Sequence, residues 1–154
     1  MKKLSIVFAA LLGFAAFSAH ADVENAVKLQ TKYKSFAKTA NPEYGSPSAV
    51  DGKLFFNRKI KGANGKETSC SSCHTQNPAN EGKNIVTGKK IAPLSPNVNP
   101  KRFADVDKVE EQFTKHCNEV IGADCTAAEK ANYIAYLLDR KSTRLNSSHA
   151  NVSR

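Results

Sequence analysis

The chain has 154 residues, with 23 Lys plus Arg against 14 Asp plus Glu, four Cys and one Met, a length that accommodates one compact domain. Its formal charge of +9 would ordinarily point to an anionic partner, but residues 22–140 hold only 18 of the basic residues and all 14 acids, a net charge of +4. That modest excess removes the case for nucleic acid or a membrane surface as the partner.

Residues 1–21 read as a secretory signal. Lys2 and Lys3 precede an apolar run from Leu4 to Phe17, and Ala19-His20-Ala21 forms a small-residue cleavage site. The run is shorter than the roughly 20 residues that span a bilayer, and no Cys follows the cleavage site for a lipid anchor. The expectation is an exported, periplasmic protein with no stable membrane insertion, in an oxidising compartment. Residues 141–154 (KSTRLNSSHANVSR) break abruptly into polar sequence without periodicity, and read as a non-native or disordered tail.

Residues 22–44 are expected to form an amphipathic helix and a linker, with Val23, Ala26, Val27, Tyr33, Phe36 and Ala37 at helical spacings. Its role is open between packing on the domain and docking a partner. The domain proper is placed at residues 45–140. Ser48, with Asp51 three residues on, opens a second helix through Phe56, with Leu54, Phe55 and Phe56 in part inward. A loop over 59–69 leads to Cys70, and a second loop covers 76–102. The second is long for a compact domain unless it folds around a ligand.

A third helix begins near Asp105. Its stripe of Val106, Val109, Phe113, His116 and Val120 points His116 into the interior, and Gly122 is the C-terminal cap. Thr126 and Glu129 form a capping box for a fourth helix, whose buried face is Tyr133, Ile134, Leu137 and Leu138. No strand-like alternation appears, so the fold is expected to be all-α.

Cys70-Ser71-Ser72-Cys73-His74 is the C-x-x-C-H haem-attachment signature. Two thiols at that spacing reach the two vinyl groups of one haem, and the adjacent histidine is held beneath the iron. A thioredoxin-like redox pair would need a βαβ context. A zinc site made of Cys70, Cys73, Cys117 and Cys125 conflicts with an oxidising compartment, and a simple disulfide is the bland alternative.

With His74 as proximal ligand, the other face of the iron needs an occupant. Methionine is excluded from residues 22–140, and the only other histidine there is His116. His116, an open or water-filled position, and Asn118 or a lysine are the alternatives. Cys117 and Cys125 lie close enough to pair around the Gly122 turn, a bond worth about 2 to 3 kcal/mol on the chain-entropy view. It would also tether the residue beside His116.

The stretches TGKKIAPLSP, NPKRF, KVE, CNEVIGADC and TAAEK, together with the C-x-x-C-H motif, resemble the SHP (sphaeroides haem protein) family of small monohaem c-type cytochromes. The resemblance covers roughly residues 48–138. It implies a class I cytochrome c-like helical fold wrapped around one covalently attached haem c. It also implies a disulfide at Cys117 and Cys125, and Pro93 or a nearby loop carbonyl as acceptor for the His74 ring N–H. In the family the sixth ligand is an asparagine directly before the first disulfide cysteine, which leaves the iron on reduction and admits oxygen or nitric oxide. Here that position is His116, so low-spin six-coordinate iron and weaker gas binding are expected.

The leading expectation is a periplasmic electron carrier rather than an enzyme, with a potential below that of His/Met cytochromes. The resemblance implies a dihaem cytochrome c and a membrane b-type cytochrome as redox partners. The alternative is a gas-binding protein or terminal reductase in which His116 detaches on reduction. No hydrolase triad, phosphate loop or nucleic-acid-reading motif is present.

Overall fold

The computed structural model describes residues 14–61 and 65–139, with side chains from Asp22 onward. The first 13 residues of the expected signal and the expected tail, 141–154, lie outside the described residues. Five helices run in the order α1 (Phe14–Ala40), α2 (Ala49–Asn57), α3 (Cys70–His74), α4 (Val106–Ile121) and α5 (Ala127–Leu138). Among the described residues no helix is long and apolar enough to cross a membrane.

Helix α1 begins earlier than the expected Val23 and continues to Ala40. Ala26, Leu29, Tyr33 and Ala37 are its buried stripe, whereas Val27 and Phe36 are exposed. The stripe lies on α5, and Tyr33 meets the edge of Phe113 at 5.7 Å. Asp22 and Asn25 clamp one residue of the loop before α4. The Phe103 N–H donates to Asp22 Oδ1 at 2.6 Å, and Asn25 Nδ2 donates to the Phe103 carbonyl at 3.1 Å. Burial holds the Asp22 carboxyl above its usual range, against the opposing pull of the Phe103 N–H and Arg102. The first helix therefore packs on the domain.

Helix α2 is capped by Ser48, whose hydroxyl accepts from the Asp51 N–H at 3.1 Å. Its inward residues are Gly52 and Phe56; Phe55 is half-buried and Leu54 is exposed, so the expected inward face is corrected for Leu54. Gly52 explains the rotation. A Cβ there would overlap the Asn132 carbonyl of α5, so the two helices cross in close backbone contact. Asn132 reinforces the crossing, its Oδ1 accepting from Tyr44 Oη at 2.8 Å and from the Ser48 N–H at 2.9 Å.

Helix α5 carries the expected capping box of Thr126 and Glu129. It buries Ala131, Ile134, Tyr136 and Leu137, with Tyr133 and Leu138 partly buried against the same core. Phe56, Leu94 and Phe103 complete that core. Burying such side chains gives about 1.5–3 kcal/mol each before entropy is counted.

The two loops contain what the sequence did not signal. Ile60–Lys61 (β1) pairs with Glu67–Thr68 (β2), and Gly82–Lys83 (β3) with Lys90–Ile91 (β4), both antiparallel. The long loop also has internal order. The Pro78 carbonyl accepts from the Leu94 and Ser95 N–H groups at 2.8 and 3.0 Å, and Ser95 Oγ donates to the Leu137 carbonyl at 3.0 Å. Tyr136 Oη donates to the Gln76 carbonyl at 2.8 Å.

Candidate functional site

The site is built from α3, the loop after it and the C-terminal half of α4. Cys70 and Cys73 sit three residues apart on one helical turn and so share a face. Both are half-buried. Burial pushes the Cys70 thiol up to about 11. At the start of the turn the Ser69 N–H donates to Ser72 Oγ at 3.0 Å. At its end Thr75 takes a positive φ of 62° with an extended ψ of 170°, turning the chain away directly after His74. Gly82 presses on the same turn: a Cβ there would overlap the Cys73 carbonyl and lie 3.0 Å from His74 Cα.

His74 is half-buried, and burial lowers its ring pKa to about 4, with His116 and Arg102 acting in the same direction. The imidazole is therefore neutral at neutral pH and carries a lone pair for a metal. The His116 ring lies opposite, with centroids 6.3 Å apart and planes at 79°. His116 is not the buried residue its stripe predicted: its side chain is 50 % exposed, while the neighbouring Cys117 is buried. Glu119 Oε2 lies 3.0 Å from His116 Nδ1.

Cys117 and Cys125 form a disulfide with Cα atoms 5.6 Å apart. It joins α4 to the start of α5 across Gly122, which caps α4 at φ 80°. The zinc alternative loses two thiolates to this bond. Asn118 is turned elsewhere, its Nδ2 donating to the Thr114 carbonyl at 2.8 Å and to Asp124 Oδ1 at 3.0 Å. The Pro93 carbonyl accepts from Asn99 Nδ2 at 2.8 Å and from Arg102 Nη2 at 3.0 Å. No bond from the His74 ring to Pro93 is formed among the described residues.

The arrangement fits a covalently attached haem. Two imidazoles on opposite sides of one metal, each bound through a nitrogen at about 2 Å, would have ring centres roughly 6 Å apart, close to the 6.3 Å found here. Two thiols on the turn before His74 supply the attachment points.

Residues 42–137 match the family described as "Domain of unknown function (DUF1924)". The chain belongs to this family of SHP-like c-type cytochromes. It is similar to cytochrome c'' of Methylophilus methylotrophus, 66 % identical over 124 residues that cover 79 % of this chain and 86 % of that one. It is also similar to cytochrome c-type protein SHP of Cereibacter sphaeroides, 39 % identical over 94 residues, 60 % of this chain and 72 % of that one.

The solution structure of cytochrome c'', described as giving insight into the structural basis of haem-ligand detachment, superposes with a TM-score of 0.73. The match has 63 % identity and covers 80 % of this chain and 98 % of that one. Oxidised SHP, described as an oxygen-binding cytochrome c, superposes with a TM-score of 0.63 at 34 % identity, covering 73 % of this chain and 94 % of that one. The fold is thus that of the small helical cytochromes, and the cofactor of this monohaem c-type cytochrome is one covalently bound haem c.

Two residues of the site were not marked by the sequence. Glu119 is one of 14 acids, distinguished only by lying three positions after His116. Gly82 sits in a segment whose pairing is too short to leave a pattern.

Proposed function

We propose that the chain is a periplasmic electron-transfer cytochrome. In this reading Cys70 and Cys73 hold the haem through thioether bonds, His74 is the proximal ligand and His116 is the sixth. The observation that carries it is the 6.3 Å separation of the two histidine rings. Haem supplies a one-electron couple between ferric and ferrous iron. The chain supplies two imidazole nitrogen ligands, a disulfide that fixes the backbone beside His116, and Gly82 packed against the attachment turn. Replacing the usual methionine by histidine lowers the potential relative to His/Met cytochromes.

A second reading has His116 leave on reduction. It is favoured by the similarity to cytochrome c'', whose solution structure concerns haem-ligand detachment. Oxygen or nitric oxide would then be candidate ligands, as oxygen is for SHP. A dihaem cytochrome c and a membrane b-type cytochrome remain the proposed redox partners.

One optical experiment tests both. Oxidised protein should be low-spin, and His116→Ala should turn it high-spin. Dithionite-reduced protein with sharp low-spin bands, unchanged by carbon monoxide, supports the carrier with a permanent ligand. A reduced spectrum that shifts with carbon monoxide supports ligand release. A His116→Ala protein that stays low-spin would show that His116 is not the ligand.

A further inference from the structure

We infer that Glu119 is a positioning residue for the sixth ligand, setting which nitrogen of His116 faces the iron and how strongly it donates. The inference rests on the reading of His116 as that ligand. Glu119 Oε2 lies 3.0 Å from His116 Nδ1, both side chains are about half exposed, and both come from the last turns of α4.

A neutral imidazole carries one N–H. A carboxylate accepts only, so the hydrogen bond places that proton on Nδ1 and leaves the Nε2 lone pair for the metal. As a bare surface pair the contact adds little. Its effect lies in the ligand. A carboxylate partner orients a metal-bound imidazole and raises its basicity. The greater charge of ferric iron makes the gain larger in the oxidised state.

The backbone around the pair is arranged to keep it. Cys117, between the two residues, is locked to Cys125. Gly122 ends the helix with its N–H donating to the Asn118 carbonyl at 3.1 Å. Asn118 is held by Thr114 and Asp124, so it does not compete for the ring. Glu119 therefore addresses His116 from a rigid last turn.

The test is the midpoint potential and ferric spectrum of haem-loaded Glu119→Gln, His116→Ala and the double variant. Removing such a partner weakens metal binding by about 10- to 100-fold. A tenfold loss confined to the ferric state raises the potential by about 59 mV. Glu119→Gln is expected to show that rise and a larger high-spin ferric fraction, whereas the same substitution on the His116→Ala background should leave the potential where it was. An unchanged potential in Glu119→Gln overturns the inference. An equal shift with and without His116 overturns it too, because Glu119 would then act only as a nearby charge. If His116→Ala stays low-spin, the ligand reading itself fails, a result distinct from either of these.

Discussion

Gly82 lies directly against the carbonyl of Cys73, so close that a methyl group on it would overlap that oxygen and press on His74 Cα. The haem-attachment turn is thereby packed from outside the helix that carries it. Gly82→Ala should cost roughly 1–3 kcal/mol, as overpacked sites do, and should displace the turn holding His74. Thermal denaturation of the haem-loaded protein, with haem content per polypeptide, checks this. An unaltered melting temperature and full haem content would contradict the packing role.

His116→Met exchanges a nitrogen ligand for a thioether at a fixed place on α4. The expected result is a low-spin ferric spectrum with a clearly higher midpoint potential, because methionine ligation raises the potential of c-type cytochromes. Redox titration against the parent protein measures it, and a lower potential would contradict the assigned ligand exchange.

Replacing Cys117 and Cys125 together by serine opens the link between α4 and α5. The chain-entropy view assigns a loop of this size about 2 to 3 kcal/mol. The variant should melt earlier, and its reduced form should bind carbon monoxide more readily than the parent, because the backbone beside His116 is no longer anchored. Equal carbon monoxide affinity would reduce the disulfide to a staple.

Asn132→Ala leaves the Tyr44 hydroxyl and the Ser48 N–H without their shared acceptor. The expected loss is about 1–3 kcal/mol, seen in chemical denaturation, with the oxidised spectrum unchanged. Asn132→Asp keeps an acceptor oxygen and should lose less.

What could be read from the sequence was local chemistry. Ser48 and Thr126 with Glu129 cap the helices they were expected to cap, α4 starts beside Asp105 as expected, and Gly122 ends it in the left-handed conformation, because each of these signals acts within four residues. The C-x-x-C-H run was legible for the same reason. Choices made by distant neighbours were not. Val27 and Phe36 lie at helical spacings as good as those of Leu29, and only the surface of α5 decides that Leu29 is buried. Leu54 was expected inward because the close approach allowed by Gly52 depends on Asn132, far along the chain. The ladders β1–β2 and β3–β4 are two residues per strand, too short for any alternation. His116 follows an apolar stripe, yet its side chain is half exposed, as Cys117 takes the buried position for its bond to Cys125.

The clamp on Phe103 sits beside the expected cleavage site. If the signal is cut after Ala21, Asp22 becomes the first residue, and both hydrogen bonds to Phe103 come from the first four residues. An exopeptidase that trimmed those four would leave Leu29, Tyr33 and Ala37 of the buried stripe in place, but would release the loop that leads into α4, the helix bearing His116. With cleavage at that point, trimming at the new N-terminus would reach through one loop residue to the helix that carries His116, and an affinity tag is better placed at the other end.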